Sequence, residues 1–231
     1  MRTILAFVIL FPACAAAQQP DPVPSPTPSP TPTNGRVFGV MPNYRTTESS
    51  IPFAPITAKQ KMTIAAKDSF DWPLFLTGGA FAGLYQIENQ NPSFGQGLKG
   101  YAKRYGTAYG DQMIGNMMTE GIWPALLKED PRYFRLGTGT LKGRIWYAAT
   151  RIFVTRTDAG GWRFNYSEVV GNSVAAAISN AYYPDTRDVS DNVQKLAIQL
   201  GTDCFSDVAK EFWPDIKRKL FKRGRSGESP R

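Results

Sequence analysis

The sequence predicts an all-α protein, folded as a compact bundle of about six helices with glycine- and alanine-lined contacts. Apolar residues recur at helical spacing over most of the chain. Sustained alternation of apolar and polar residues, which would indicate strands, occurs only around residues 37–41. The composition of 42% hydrophobic and 20% charged residues is typical of a globular protein. Without its ends, the chain of 231 residues keeps about 170, enough for one domain.

The start of the chain predicts export. Residues 1–17 have the pattern of a secretory signal peptide, with a positive charge at Arg2, an apolar run over residues 4–11 and a small-residue cleavage site ending at Ala17. Cys14 leaves a lipidated N-terminus open as an alternative. We therefore expect the protein in the periplasm or cell envelope, either free or peripherally bound to a membrane.

A linker and an arm separate this signal from the body. Residues 18–35 are rich in Pro, Ser and Thr and predict an extended polyproline II linker, with a Pro-rich docking ligand as the alternative. Residues 36–56 predict an extended arm. Signal cleavage would leave Cys204 as the single cysteine, so no internal disulfide is expected.

The helical domain is predicted over residues 57–213. A capping box of Thr57 and Gln60 starts the first helix. Asp71 then provides the N-cap of the second helix, and Pro124 predicts a kink near Trp123 in the third. The predicted helices span about 58–70, 74–87, 98–127, 141–154, 167–181 and 190–212, with a loop at 157–164.

The sixth predicted helix has the clearest amphipathic pattern. Its apolar residues are expected to face the interior, and its Asp, Gln and Lys residues are expected to face solvent. Pro214 is expected to end it and to begin a short basic helix. The residues expected to face inward are Val193, Leu196, Ala197, Leu200, Cys204, Phe205, Val208 and Phe212.

Small residues recur four positions apart on three predicted helices. A glycine inside a helix costs up to about 1 kcal/mol, and close contact between helix backbones offsets this cost. We therefore expect the second, third and fifth helices to form the centre with their glycines inward. The three ridges are Ala102, Gly106 and Gly110; Gly79 and Gly83; and Gly171, Ala175 and Ser179.

The same small residues are also typical of membrane-embedded helices. The most apolar stretch, residues 72–85, is 14 residues long, whereas a spanning helix needs about 20. A soluble or surface-lying bundle is therefore favoured, and a spanning bundle is the alternative.

Two predicted helices carry polar side chains that could meet. Asn116 and Glu120 lie one turn apart on the third helix, which also carries Asp111, and Glu168 and Asn172 lie one turn apart on the fifth. If these helices pack together, the carboxyl groups could form a pocket for general acid and base catalysis. The alternatives are a solvent-facing polar stripe and a buried hydrogen-bonded network that fixes the packing.

The chain contains no histidine, which excludes Ser-His-Asp and Cys-His catalytic systems and the usual zinc sites. No metal-ligand spacing is present, so the sequence predicts no metal and no cofactor. Asp130, which precedes Pro131, predicts an N-cap. The charged and aromatic run around Asp130 and Arg132 is alternatively a recognition loop.

Residues 214–231 predict a basic amphipathic tail. Residues 217–231 carry seven basic residues and one acidic residue, whereas residues 36–216 carry a net charge of only +2. This composition favours binding to an anionic membrane surface, and the alternative is a frayed basic tail. The body lacks the basic face of a nucleic-acid-binding protein. The tail residues predicted to bind are Trp213, Lys217, Arg218, Lys219 and Lys222.

Three segments of the body carry a resemblance. They are GLYQIENQNPSFGQG at residues 83–97, EDPRYF at residues 129–134 and SNAYYPD at residues 179–185. The chain resembles a group of uncharacterised exported bacterial envelope proteins with no assigned activity. The resemblance implies an envelope location and carries over no catalytic residue or cofactor.

The sequence thus predicts an exported, non-enzymatic helical protein of the envelope that binds a membrane surface or a protein partner. The alternative is a carboxylate-dependent hydrolase that acts on an envelope polymer or lipid, with Glu120, Glu168 and Asp111 as its candidate catalytic residues. Binding of nucleic acid is not expected.

Overall fold

A computed structural model describes residues 45–49 and 52–225. The predicted signal peptide, Cys14, the linker, most of the arm and the end of the tail lie outside the described residues, as does the side chain of Lys222. The described chain is mostly helical, with two small sheets. Its helices are α1 Ala58–Ser69, α2 Trp72–Ile87, α3 Gly97–Asn116, α4 Trp123–Leu127, α5 Leu141–Thr150, α6 Tyr166–Ser179 and α7 Val189–Arg225.

The first two helices start as the sequence predicts. The Gln60 amide donates to Thr57 Oγ1 at 3.3 Å, and the Thr57 amide donates to Gln60 Oε1 at 2.8 Å, which completes the capping box. At α2 the Trp72 amide donates to Asp71 Oδ1 at 3.0 Å, and Pro73 follows in the first turn. These caps satisfy amides that the first turn of a helix leaves without partners.

The predicted third helix is interrupted earlier than Trp123. α3 ends at Asn116, a π-helical turn spans Met117–Ile122, and α4 follows. Pro124 has no amide to bond the Glu120 carbonyl, four residues earlier. The Trp123 amide instead donates to the Met118 carbonyl, five residues earlier, so the irregularity lies before the proline.

Five short strands within the described residues correct the all-α prediction. The predicted loop at residues 157–164 contains the turn of a hairpin, in which Gly160 has a φ of +88°. Strands of two to four residues are too short to show alternation in the sequence. β1 Thr46–Glu48 pairs in parallel with β3 Tyr133–Arg135, and β2 Glu129–Asp130, β4 Val154–Thr157 and β5 Trp162–Phe164 form an antiparallel sheet.

Helix α7 continues through Pro214, so the predicted helix end at Phe212 is wrong. A proline inside a helix removes one backbone hydrogen bond and leaves a carbonyl short of a donor. In this turn the Glu211 carbonyl accepts hydrogen bonds from Arg135 Nε at 2.8 Å and from Arg144 Nη2 at 2.7 Å. The carbonyl that Pro214 leaves without an amide donor is that of Lys210, so these side-chain bonds fix the neighbouring carbonyl and do not replace the missing bond.

The orientation predicted for this helix is also wrong. Lys210 and Glu211 are buried, whereas Val193, Ala197 and Phe205 are exposed and the other residues expected inward are only half-buried. An amphipathic pattern has two faces, and the sequence alone does not say which face meets the protein. In α7 charged residues face the body and several apolar residues face outward.

The glycine ridges pack only in part. A Cβ atom at Gly106 or Gly110 would meet nothing within 4 Å, so these positions are not close helix contacts, contrary to the prediction. A Cβ atom at Gly79 would lie 3.4 Å from Tyr101 Oη, and one at Gly171 would lie 2.9 Å from Thr119 Cγ2. The close backbone approach therefore joins α6 to the π-helical turn, which also packs against α1 and α4.

The interior of the described body is unusually polar. Among its largest fully buried side chains, only Pro124 is apolar. In contrast, Ile87 and Leu98 are each 85% exposed, and Trp146 is 74% exposed. Soluble proteins show the opposite trend, because large apolar side chains are most often buried. The other side chains of that fully buried group are Arg104, Lys61, Glu120, Glu129, Glu211, Asp130, Ser69 and Ser167.

Among the described residues, no helix combines the length and the hydropathy that crossing a membrane requires.

Candidate functional site

Several carboxyl groups surround one half-buried arginine, Arg45. We call Arg45, Asp68, Glu120, Glu168 and Asp203 the Arg45 cluster. Arg45 Nη1 lies 2.9 Å from Glu120 Oε1, and Arg45 Nε lies 3.9 Å from Asp68 Oδ2. The cluster joins the segment before β1 to α1, the π-helical turn, α6 and α7. Glu120 and Glu168, on different predicted helices, therefore lie near the same cation.

Glu120 and Asp68 form the first carboxyl pair of the cluster. Burial raises the pKa of Glu120 well above its ordinary value, and the neighbouring charge of Asp68 raises it further against the opposing effect of Arg45. Asp68 Oδ1 and Glu120 Oε2 are both buried without a hydrogen-bond partner among the described residues. A proton on one of the two carboxyl groups would give these oxygens a partner.

Glu168 and Asp203 form the second pair. Glu168 Oε1 accepts a hydrogen bond from Asn172 Nδ2 at 2.8 Å, and Asn165 caps the start of the same helix. Burial raises the pKa of Glu168 well above its ordinary value, and the charge of Asp203 and a hydrogen bond with it raise it further. Glu168 therefore holds its proton to a higher pH than an ordinary glutamate does.

A small cavity touches one side of this cluster. Its volume is about 40 Å³, and its lining includes Arg45, Glu168, Asp203 and Asp207. A water molecule occupies about 30 Å³ in the liquid, so the cavity has room for roughly one water. Glu120 does not line it. The cluster can therefore hold and exchange protons, but it offers little space for a substrate.

Asp111 lies in a different part of the bundle from Glu120. It accepts hydrogen bonds from the hydroxyls of Tyr182 and Tyr183, and the charge of Lys195 acts on it. Burial raises the pKa of Asp111, whereas both hydrogen bonds and Lys195 lower it. Asn116, at the end of α3, is half-buried. The carboxyl groups of the predicted pocket therefore separate into two groups.

A second cavity, of about 130 Å³, lies between α2, α3, α6 and α7. Asp111, Asn172 and Lys195 contribute its polar side. Lys195 Nζ donates to the Thr186 carbonyl at 2.9 Å and to Ser179 Oγ at 3.2 Å. Asn172 therefore connects this cavity to the Arg45 cluster, because its amide also bonds Glu168.

Asp130 and Arg132 bond to each other. Asp130 Oδ1 accepts from the Arg132 amide at 3.0 Å and from Arg132 Nε at 2.9 Å, and Arg132 Nη2 donates to the Ala54 carbonyl at 2.6 Å. Asp130 lies in β2, so its predicted role as a helix N-cap is wrong. These bonds fix the loop before β3 against the segment that leads into α1.

The sequence does not single out most of the buried charged residues, among them Glu211, Glu129 and Arg104. Glu211 accepts from Tyr133 Oη and Arg144 Nε, both at 2.7 Å, and Glu129 Oε2 accepts from the Ser167 amide at 2.8 Å. Arg104 fixes the loop between α2 and α3. The partners of Glu211 and Glu129 lie far away in the sequence, and those of Arg104 lie in and just before the preceding loop, so helical spacing carries no signal for them.

The basic end of α7 lies at the surface. Lys217, Arg218 and Lys219 are exposed, Trp213 is half-buried, and Arg218 pairs with Asp215. This part of the predicted tail continues α7 and does not start a new helix.

Comparison with protein-family models, curated proteins and solved structures found no match to this chain. The resemblance to exported envelope proteins therefore stays a prediction. Within residues 45–49 and 52–225, no group of three or more Cys, Asp or Glu side chains is arranged to hold a metal ion.

Proposed function

We propose that the chain is an exported, non-enzymatic helical protein of the cell envelope that binds a lipid surface. This proposal rests on the distribution of side chains in the body, which is the reverse of the distribution in most soluble proteins. Ionic side chains such as Lys61 and Glu211 are enclosed and paired, whereas large apolar side chains such as Trp146 and Ile87 are exposed. Large exposed apolar surfaces mark binding to a membrane or to another protein.

The distribution of the apolar side chains favours lipid over a single protein partner. Leu76 and Ile87 are exposed on α2, Trp146 on α5, and Val193 and Phe205 on α7. α2 packs mainly against α3, whereas α5 packs mainly against α7. A protein partner covers one face, but an apolar lipid phase can contact several elements at once.

Charge supports the same proposal. Lys217, Arg218 and Lys219 are exposed and lie on α7, the helix that also exposes several apolar side chains. Basic residues near an anionic bilayer contribute about 1 kcal/mol each to binding. Apolar side chains and basic residues on one element are the combination that interfacial proteins use.

Vesicle flotation tests this function. The mature protein is expected to float with zwitterionic phosphatidylcholine vesicles, because apolar contact does not need anionic lipid. A triple variant with Ile87→Gln, Leu98→Gln and Trp146→Gln should bind at least about tenfold more weakly, since full burial of one such side chain contributes about 1.5–3 kcal/mol. Wild-type protein that stays at the bottom of the gradient would contradict the proposal.

The control for this experiment is Lys59→Gln with Lys99→Gln. Both lysines are exposed, and neither side chain makes an interaction within the described residues. The control should float as the wild type does. Thermal unfolding of every variant shows whether the fold is kept, because exposed side chains contribute little to folding.

Cell fractionation tests the location. Export predicts a mature chain that begins at Gln18 and that fractionates with the envelope membranes. Full-length protein in the cytoplasm would contradict export, and a soluble periplasmic pool alone would contradict lipid binding.

The alternative function, a carboxylate-dependent hydrolase that acts on an envelope polymer or lipid, is favoured by one observation. Burial and a neighbouring carboxyl raise the pKa of Glu168, and raised pKa values are frequent at catalytic sites. Against it, the adjoining cavity has room for about one water molecule. Separate Glu120→Gln and Glu168→Gln variants distinguish the two functions: an enzyme loses turnover with its fold intact, whereas a packing network changes its thermal stability.

A further inference from the structure

Two arginines beside the small antiparallel sheet have no anionic partner among the described residues. Within residues 45–49 and 52–225, Arg151 and Arg156 form no ion pair and donate no side-chain hydrogen bond. The Nε atoms of both are buried without a hydrogen-bond partner. Leaving a charged donor without a partner costs free energy, so such groups normally bind a carboxylate, a carbonyl or a ligand.

Aromatic rings hold both guanidinium groups in place. The Cζ atoms of Arg151 and Arg156 lie 4.6 and 4.7 Å from the centroid of the same Trp162 ring. The Tyr147 ring lies 4.4 Å from Arg151, and the Phe134 ring lies 4.6 Å from Arg156. These cation–π contacts orient the two groups but leave their in-plane N–H donors unused.

The carboxylates of the sheet and its hairpin turn are already bound by other cations. Asp130 is bound by Arg132, and Asp130 is the cross-strand neighbour of Arg156 in the sheet. Glu129 is likewise bound by Arg163. Asp158, in the hairpin turn after β4, is bound by Lys61. The sheet region therefore carries two positive charges that no carboxylate of the described chain neutralises.

The site is accessible from outside. Trp162 is 45% exposed, and both arginines are half-buried. Arg156 and Trp162 are direct cross-strand partners, and Arg151 is the C-cap residue of α5, so both charges are positioned by regular structure. Phe153, Phe164 and other exposed aromatic side chains border the sheet.

We propose that Arg151 and Arg156, held against Trp162, form a binding site for a phosphate group. A phosphate offers several oxygens to two forked donors, which a single carboxylate cannot do as well. The phosphate can belong to a small soluble molecule or to the headgroup of an anionic phospholipid. The second source rests on the proposed lipid-binding function, because the exposed aromatic residues would then enter the bilayer beside the headgroup.

Calorimetric titration of the mature protein tests the site with inorganic phosphate as the first probe. The second probe is phosphatidylcholine vesicles with and without phosphatidylglycerol. Arg151→Gln and Arg156→Gln should each weaken the binding of phosphate or of phosphatidylglycerol vesicles by about tenfold, the usual effect of losing one charged hydrogen-bonding group. Arg156→Lys, which keeps the positive charge but loses the forked N–H donors of the guanidinium group, should also weaken this binding.

The matched control is the same Lys59→Gln and Lys99→Gln pair, which removes two positive charges elsewhere and should leave binding unchanged. Binding of inorganic phosphate supports a soluble source, and a preference for phosphatidylglycerol alone supports the headgroup. Two results would overturn the site: no binding of either probe, or a double Arg151→Gln and Arg156→Gln variant that binds as the control does.

Failure of this site and failure of the proposed function are distinguishable. Flotation with zwitterionic vesicles depends on the exposed apolar side chains and should survive the double arginine variant. Thermal unfolding checks that variant's fold, and the Arg151→Lys and Arg156→Lys variants repeat the test with smaller changes in shape.

Discussion

Buried glutamates whose pKa is raised well above its ordinary value are the main feature of the Arg45 cluster at the scale of single residues. Two carboxyl pairs face one guanidinium group, and Lys210 and Asp207 add further charges from α7. Ionising every carboxyl would leave several negative charges in a medium of low dielectric constant, which is costly. Retained protons reduce this cost, so the cluster couples folding to pH.

Glu168→Gln should change the pH dependence of stability. The ordinary pKa of a glutamate is about 4.5, and the folded protein raises that of Glu168. Above the ordinary value, the folded state still holds a proton that the unfolded state has released, so this group's contribution to stability falls as pH rises through the folded pKa. Glutamine mimics the protonated form and should remove this loss.

The measurement is the free energy of unfolding in urea at a series of pH values between about 5 and 8. The exposed Glu88→Gln variant is the control and should follow the wild type. Because Asp111 also has a raised pKa, the quantity that decides is the difference between variant and wild type. An unchanged pH slope in Glu168→Gln would show that Glu168 is already ionised in the folded protein.

Arg104→Ala should destabilise the loop between α2 and α3. The Arg104 guanidinium donates to the Gln90 carbonyl, to Gln86 Oε1 at 2.7 Å and to the Gly95 carbonyl at 2.6 Å, and it is almost fully buried. Its removal leaves several acceptors without a donor, so we expect a loss of about 3 kcal/mol.

Urea unfolding measures this loss, with Lys103→Ala as the control. Lys103 is exposed and adjacent, so its variant removes the same charge from the same helix but none of these hydrogen bonds. A similar stability for both variants would mean that solvent replaces the Arg104 contacts at no cost.

At the scale of elements, the π-helical turn is the part around which the helices assemble. It follows α3, contains Glu120 and packs against α1, α4 and α6. π-helical turns are rare and often coincide with functional positions. Here the turn brings Glu120 to Arg45 while Gly171 allows α6 to approach its backbone.

Two glycine-to-alanine variants test this packing, and they are expected to change the free energy of unfolding in opposite directions. Gly171→Ala would place a Cβ atom 3.2 Å from the backbone of Met118, so the helix must shift, and we expect a loss of about 1–3 kcal/mol. Gly106→Ala meets nothing within 4 Å and should gain up to about 1 kcal/mol from helix propensity. Thermal unfolding of both measures the signs, and a stabilising Gly171→Ala would contradict the close approach.

Sequence reasoning located the helices better than it located their surroundings. The capping box at Thr57 and the N-cap at Asp71 are local signals, and both are confirmed. The π-helical turn depends on how Pro124 shifts the hydrogen bonds before it, and the strands depend on pairing between distant segments. Pro124 is a local signal that predicts an irregularity near Trp123, but neither its π-helical form nor the strand pairing is encoded in local spacing.

At the scale of the whole molecule, the distribution of polarity could not be predicted. Charged residues of α7 were expected outside because proteins in water usually place them there. The pattern of one amphipathic helix is the same whether its apolar face meets a core or a lipid phase. The partners of Lys61 and Glu211 become visible only when Asp158 and Arg144 are placed beside them.

The basic tail should add a salt-dependent component to lipid binding by the whole molecule. Residues 217–231 carry a net charge of +6, whereas the exposed apolar side chains of the body carry none. Deleting residues 217–231 should therefore weaken binding to vesicles that contain phosphatidylglycerol at low salt, since basic residues are attracted to an anionic surface and salt screens this attraction.

Binding of the truncated protein to zwitterionic vesicles should be unchanged, because burial of apolar side chains does not depend on surface charge. Vesicle sedimentation with and without added salt measures both components in one experiment. Equal binding of the full-length and truncated proteins to anionic vesicles at low salt would remove the tail from the mechanism. Loss of zwitterionic binding on truncation would instead place the lipid-binding surface in the tail, and the exposed apolar residues of α2 and α5 would need another explanation.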